Sequence, residues 1–546
     1  MLLFLLQYPA RMSPYHVKIP TKEDVPFNDY GRGEMAEFHD LEYDESVKQS
    51  ITSSGLPVPY RLPQRPLGMK VLGFSSLIVR SFKACLPSFI QARLAPHTNP
   101  KPRLHPTSYI DGMRGVAAFL VVIAHMVDNY YDNRSTYGGG QPGRNTSLFQ
   151  MPIICLVYYG NPWVEVFFVL SGYSLSIKPI KQMRAGLWAQ FHETQASAAF
   201  RRTLRLFLPC VASTFMIMCF LQLNFYEYTQ AWAWAPGVVG RGKGLHARKV
   251  DGGWWAQLGD WYLRCWQMMI VFSFDVEAGK HAYDSHLFTI PIELRCSLVL
   301  FLCQTAFSRK RPYVRMFLFT MVGWFAHYFG RWDVFLFLAG AVLVEADLMA
   351  VDSGAGWHSQ TASTPTDYSI RYFVTHIFWI TTFVVSLILL SYPHDDADSA
   401  WLYSWLSSLV PSQFNQGQTW RYWPMWGSIL YLASINNLKL LSSFFNLPPI
   451  QYLGKISFSI YLVHGAFHHT LGYCTDMFLF DSVFHLKLPE DKYTAKFNLA
   501  FVLCAMINMG IFIWAADIFM RLVDIPSVKL ARWLDEKGRT RNIESE

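Results

Sequence analysis

Ten stretches of this 546-residue chain are apolar runs that approach the length of a bilayer crossing, near 114–132, 162–178, 205–224, 286–306, 314–330, 332–349, 372–391, 425–441, 455–475 and 497–522. A hydrocarbon core takes about 20 helical residues. Inside it, every backbone N–H and C=O must find its partner within the protein, which leaves the helix as the only span for segments like these. The fold class expected is therefore all-α, a multi-pass transmembrane helix bundle of about ten spans. Composition agrees, with 16% charged residues and a mean hydropathy of +0.16, against roughly 25% charged in ordinary soluble domains. An eleventh run, 261–274, carries Arg264 and many aromatics, and reads as interfacial or re-entrant.

The runs divide the chain. Residues 1–106 form an N-terminal cytoplasmic extension, acidic and polar over 20–50; its stretch 68–95 mixes Leu, Ile and Phe with Lys70, Arg80, Lys83 and Arg93. That stretch is expected to be an interfacial amphipathic helix or, alternatively, a buried helix of a small cap. The opening Met1-Leu-Leu-Phe-Leu-Leu is too short and lacks the basic flank of a signal peptide. Residues 107–525 are the membrane domain and 526–546 a cytoplasmic tail. Both glycosylation sequons, Asn133-Arg-Ser and Asn145-Thr-Ser, fall between the first and second runs. Acceptors of this kind are used on the luminal side, so both termini are expected in the cytoplasm of an endomembrane or plasma-membrane protein. Arg201, Arg202 and Arg205, the group Arg309-Lys-Arg, and the tail with Lys529, Arg532, Lys537 and Arg539 then all lie inside, as the positive-inside rule asks. The exception is Arg241, Lys243, Arg248 and Lys249, in a long loop where the rule weakens. That bias accounts for the net charge of +8. No basic block interleaved with stacking aromatics stands outside the spans, so a nucleic-acid partner is not expected. The nine cysteines are scattered and show no C-x-x-C pair, which suits small core hydrophobes.

Ionisable side chains inside apolar spans are costly, and a functional role is their default reading. The first span carries Arg114 and His125. Eleven steps at 100° come to 20° past three turns, so the two share one stripe, roughly 16 Å apart along the axis. His464 lies about nine residues into the ninth span, as His125 lies about 11 into the first. If both enter from the cytoplasmic side, they reach similar depth and can face one cavity. Glu293 and Arg295 stand two residues apart in the fourth span, facing away from each other, so each needs a partner on another element. For each histidine the plain alternative is a packing residue hydrogen-bonded between helices.

Five separated motifs point further. They are Asp111-Gly-Met-Arg-Gly with the apolar run to His125, Asn161-Pro-Trp-Val-Glu-Val-Phe-Phe-Val-Leu-Ser171-Gly-Tyr173, Arg201-Arg-Thr-Leu-Arg205-Leu-Phe-Leu-Pro, His286-Leu-Phe-Thr-Ile-Pro-Ile-Glu293, and Gln451-Tyr-Leu-Gly-Lys-Ile-Ser-Phe-Ser-Ile-Tyr-Leu-Val-His464. In this order they resemble the acyltransferase 3 family of integral-membrane O-acyltransferases, with Phe288 where tryptophan is common. The resemblance implies transfer of an acyl group, acetyl in the first instance, from acyl-CoA to a hydroxyl-bearing acceptor in or at the bilayer. It places His125, Arg114, Glu293 and His464 in the catalytic site, with Ser171 and Tyr173 lining it. Arg201, Arg202 and Arg205 are candidates for the phosphates of the donor, since arginine suits bidentate phosphate recognition; positive-inside anchoring explains them as well. A hydroxyl attacks a thioester poorly without a base, and His125 is the candidate, either deprotonating the acceptor or taking the acyl group itself. Glu165, near the luminal end of its run, reads as a solvated carboxylate. No P-loop, dinucleotide turn or H-E-x-x-H metal motif is present, so no bound cofactor or metal is expected, with acetyl-CoA as co-substrate. The competing reading is a multi-pass transporter with intramembrane His, Arg and Glu.

Overall fold

The computed structural model describes residues 85–94, 104–132, 134–141, 143–235, 237–238, 247–272, 281–353, 370–414 and 417–538. Among them there are helices and no strands. The principal helices are α1 (Ser88–Leu94), α2 (Ser108–Asp128), α3 (Asn161–Arg184), α4 (Trp188–Gln222), α5 (Gly253–Met268), α6 (Thr289–Phe307), α7 (Pro312–Tyr328), α8 (Trp332–Asp352), α9 (Ile370–Leu390), α10 (Thr419–Asn437), α11 (Pro448–Phe467), α12 (Ala495–Phe519) and α13 (Ile525–Gly538). Each of the ten apolar runs falls on a helix. Six helical segments among the described residues are long and apolar enough to cross a membrane. Residues 261–268 of the eleventh run form the second half of α5, whose 16 residues make about 24 Å, short of a hydrocarbon core of about 30 Å. Trp255, Tyr262 and Trp266 stand exposed on it, the composition of an interfacial belt.

Helix starts follow the sequence. Pro162 in α3, Pro312 in α7 and Pro448 in α11 occupy first-turn positions, where the missing N–H is no loss. After α11 the helix widens into a π stretch, His468–Gly472; such widened turns often sit at functional sites. Another π stretch, Met520–Asp524, joins α12 to α13, so the expected tail boundary at 525 falls within continuous helix. Asp535 of α13 accepts from Ser197 of α4 at 2.5 Å and lies 3.7 Å from Arg201.

Most of the expected surface helix at 68–95 lies outside the described residues. Its end, α1, docks on the bundle: Ser88 donates to Asp517 of α12, and Phe89 packs on Tyr452 with ring centroids 5.1 Å apart. Asn133, Arg241 and Lys243 are also outside the described residues. Asn145 is held in its loop, its amide donating to the Gly139 carbonyl at 2.8 Å and its carbonyl accepting from Gln150 at 2.7 Å.

Two helix crossings frame the interior. In α2 and α11, a Cβ on Gly115 would come within 2.3 Å of the Gly454 nitrogen, and one on Gly454 within 2.5 Å of the Asp111 carbonyl oxygen. In α3 and α8, a Cβ on Gly172 would fall 2.1 Å from the Phe337 carbonyl oxygen, and one on Gly340 2.4 Å from the Tyr173 nitrogen. Backbone thus meets backbone at both crossings, the close approach that small residues allow in membrane bundles. Gly172 therefore serves helix packing.

A buried three-histidine candidate site

The α2–α11 crossing sets up the site. Gly115 precedes His125 by ten residues, and Gly454 precedes His464 by ten. Two helices that cross at the glycines and run the same way deliver both imidazoles to one level, about 15 Å further on. Their ring centroids are 5.2 Å apart and nearly parallel, at 23°.

A third imidazole joins them. His286 lies in a short 3-10 turn, Ser285–Phe288, leading into α6. Its ring centroid is 4.4 Å from that of His125 and 5.0 Å from that of His464. Tyr461 of α11 fixes this turn, its hydroxyl lying 2.5 Å from the His286 carbonyl oxygen and 2.7 Å from the Thr289 hydroxyl. Gly465 leaves room for the ring, since a Cβ there would stand 3.3 Å from His286 Nδ1.

The hydrogen bonds select the tautomers. His464 Nδ1 lies 2.7 Å from the Tyr461 carbonyl oxygen and 3.0 Å from that of Ile460. A carbonyl oxygen only accepts, so Nδ1 carries the proton and Nε2 the lone pair. His286 Nδ1 lies 2.7 Å from Asp284 Oδ1, which orients that ring in the same way. The Nε2 atoms of His125, His286 and His464 are all buried, and none has a hydrogen-bond partner among the described residues. One ring nitrogen from each of the three lies within 4.8 Å of the other two. The cavity beside them is also lined by Asp128 and Asn129 at the end of α2 and by His468 and His469 of the π stretch; Asn129 Nδ2 donates to His468 Nε2 at 3.0 Å.

The other sequence candidates lie elsewhere. Arg114 donates to Ser174 at 2.8 Å and stands 3.6 Å from Asp111; it is not among the cavity-lining residues. Glu293 is buried in an ion pair with Arg202, and the Ser171 hydroxyl lies 3.4 Å from the same carboxylate oxygen. Arg202 also donates to Ser297 at 2.5 Å. Of the three arginines considered for donor phosphates, Arg202 therefore points into the protein, Arg201 lies beside Asp535, and Arg205 is buried. The Tyr173 hydroxyl donates to Asp347 at 2.7 Å. Arg295 finds its partner on another element, Asp333 at 3.3 Å.

Glu165 is a correction. It is fully buried and paired with Arg421 at 2.8 Å, and that guanidinium lies 4.2 Å and 4.0 Å from the ring centroids of Trp332 and Trp420. Its position near a span end suggested water; the bundle supplies an ion pair instead.

His286, Asp284, His468 and His469 were missed as site residues. His286 was visible at the head of its motif, with Asp284 two residues upstream, but nothing local shows that this turn folds against His125. Likewise, a cluster drawn from three distant segments leaves no short motif, although His125, His286 and His464 bring ring nitrogens within 4.8 Å of one another.

The Arg202–Glu293 pair yields a prediction. Removing one partner of a buried pair is destabilising by about 3–5 kcal/mol. Arg202→Gln is expected to lower the detergent melting temperature and yield, with donor KM unchanged in the protein that survives, whereas Arg201→Gln raises donor KM at unchanged stability. Melting curves and donor titrations of both variants check this.

Comparison with known proteins agrees with this architecture. A family described as "Acyltransferase domain" (Acyl_transf_3) matches residues 107–517. The chain is 29% identical over 463 residues to an O-acetyltransferase, PaAT-1, of Phomopsis amygdali, covering 82% of this chain and 87% of that protein. It is 26% identical to an acyltransferase of a Phoma species, covering 78% and 94% of the two chains, and 26% identical to one of Cochliobolus lunatus, covering 68% and 83%. No solved structure gives a significant match.

Proposed function

The chain belongs to the acyltransferase 3 family, and on that premise we propose that it is a membrane-bound O-acyltransferase moving an acyl group, acetyl in the first instance, from acyl-CoA to a hydroxyl of a carbohydrate, lipid or secondary metabolite. The observation that carries the reading is the set of three buried, unpartnered Nε2 atoms on histidines that line one cavity. Lone pairs gathered in this way are suited to receiving a proton.

In the proposed reaction the acceptor hydroxyl enters the cavity and His125 Nε2 takes its proton. The oxygen attacks the thioester carbonyl carbon, the carbon–sulfur bond breaks, and the imidazolium returns the proton to the leaving thiolate. The products are an ester and CoA thiol. The Nδ1 protons of His464 and His286 are committed to a carbonyl and to Asp284, which leaves Nε2 lone pairs on two rings packed against His125. Each can accept a hydrogen bond from the imidazolium, which stabilises the charge where water is scarce. Should His125 take the acyl group first, the same neighbours serve the second step. Arg114 orients the cytoplasmic end of α2 through Ser174 and Asp111, while Arg201, half-buried beside Asp535, is the arginine left to meet the donor phosphates. Ser171 and Glu293, joined to Arg202, and Tyr173, joined to Asp347, hold together the helices that surround the site. The positions of the two sequons and of the basic clusters support a topology with both termini in the cytoplasm and ten crossings between them.

An untargeted metabolite comparison of cells with the protein and cells carrying His125→Ala tests the reading and identifies the acceptor. The expected result is one or more species heavier by an acetyl group only in the presence of the intact protein. Identical profiles would contradict it.

A further inference from the structure

We propose that His125, His286 and His464 also form a binding site for one zinc-class divalent ion, and that loading the site switches the enzyme off. The donor set supports it. The three imidazoles are 8%, 4% and 1% exposed, each with an Nε2 that meets no hydrogen-bond donor or acceptor among the described residues. Three histidine nitrogens with an open fourth position are an established zinc ligand set, and imidazole is a good ligand for first-row divalent ions generally.

The surroundings are those of metal-binding histidines. Such a residue hands its other ring N–H to a carboxylate or a backbone carbonyl, which fixes the ring and raises its basicity. His286 does the first, through Asp284 at 2.7 Å, and His464 the second, through the Tyr461 carbonyl at 2.7 Å. Packing alone does not require three buried imidazoles with unpartnered nitrogens to stand this close together. Asp128 lines the same cavity and Asp284 lies beside it, so carboxylates stand near an incoming divalent charge. Nitrogens bound tetrahedrally at about 2.0–2.1 Å lie about 3.3 Å apart. The ligand nitrogens, now within 4.8 Å of one another, draw together by up to about 1.5 Å on loading, within reach of side-chain rotation.

The inhibitory consequence rests on the acyl-transfer reading. A lone pair that coordinates an ion cannot accept a proton, so zinc at His125 Nε2 and proton abstraction by it exclude each other.

The test uses the full-length chain in detergent, stripped with a chelator, titrated with zinc alone, desalted and analysed for bound metal without substrate. Wild type is expected to retain one zinc per chain, and His286→Ala none at that site. Asp284→Asn, which keeps all three ligands, is expected to bind 10–100-fold more weakly; it guards against loss of binding through misfolding in the alanine variant. Acyl transfer is expected to fall in step with occupancy and to return on chelation. Equal zinc retention by wild type and His286→Ala, or none in either, would overturn the site. Undiminished turnover by the loaded enzyme would overturn the inhibition. Because retention is read without substrate, a protein that binds zinc yet transfers no acyl group refutes the acyl-transfer reading and leaves the site standing.

Discussion

His125→Ala lowers kcat by about 10²–10⁴-fold, the usual contribution of a positioned general base, and leaves the protein folded. The expectation follows from the position of Nε2: buried, unpartnered and within ring-contact distance of His286 and His464. His125→Gln separates the two roles an intramembrane histidine can have. Glutamine supplies hydrogen-bonding atoms of similar reach but no base near neutral pH. If His125 is a packing residue, Gln restores function and Ala destabilises. If it is the base, both variants are stable in detergent and equally slow. Initial rates and melting curves for the two variants decide between these outcomes.

Gly454→Ala is expected to cost about 10²-fold in kcat with every histidine still in place. The new Cβ would stand 2.5 Å from the Asp111 carbonyl oxygen and 2.8 Å from its carbon, so α2 and α11 must part by about 1 Å to reach ordinary contact. A displacement of that size at a reacting centre can reduce rate about 100-fold, and the overpacking itself is destabilising by about 1–3 kcal/mol. His125 and His464 each stand ten residues beyond the crossing, and both rings move with their helices. Gly510→Ala on α12 is the control, since a Cβ there meets nothing and activity should be unchanged. Equal activity of the Gly454 and Gly510 variants would mean that the crossing does not position the site.

The helical architecture was legible because it follows from one rule, that backbone in lipid must bond to itself. Each apolar run became a helix, and matched depths for His125 and His464 could be computed because both are counted from a span end. What could not be read was which elements touch. Glu165 and Arg421 are 256 residues apart, and no periodicity announces their pairing. Glu293 was placed inside its span correctly, but its partner, Arg202, had been considered for a phosphate, because a cluster of arginines near a membrane face looks the same whether it anchors, binds a ligand or reaches inward. His286 escaped selection for a related reason. It precedes α6 in a short turn, and its importance comes from Tyr461, His125 and His464, all supplied by distant segments. Arg114 and His125 share a stripe as the spacing required, yet a shared stripe 16 Å long reaches two environments, and only His125 lines the cavity.

The central claim is that this chain makes an ester at the expense of a thioester. The most direct measurement supplies the purified protein, reconstituted in vesicles, with acetyl-CoA labelled in the acetyl group and a hydroxyl-bearing acceptor fraction, and follows label and free thiol together. The account predicts label in an alkali-labile ester and one thiol released per ester, both abolished in His125→Ala. Movement of label across the vesicle wall without ester or thiol, unaltered in His125→Ala, would contradict it and identify a transporter instead.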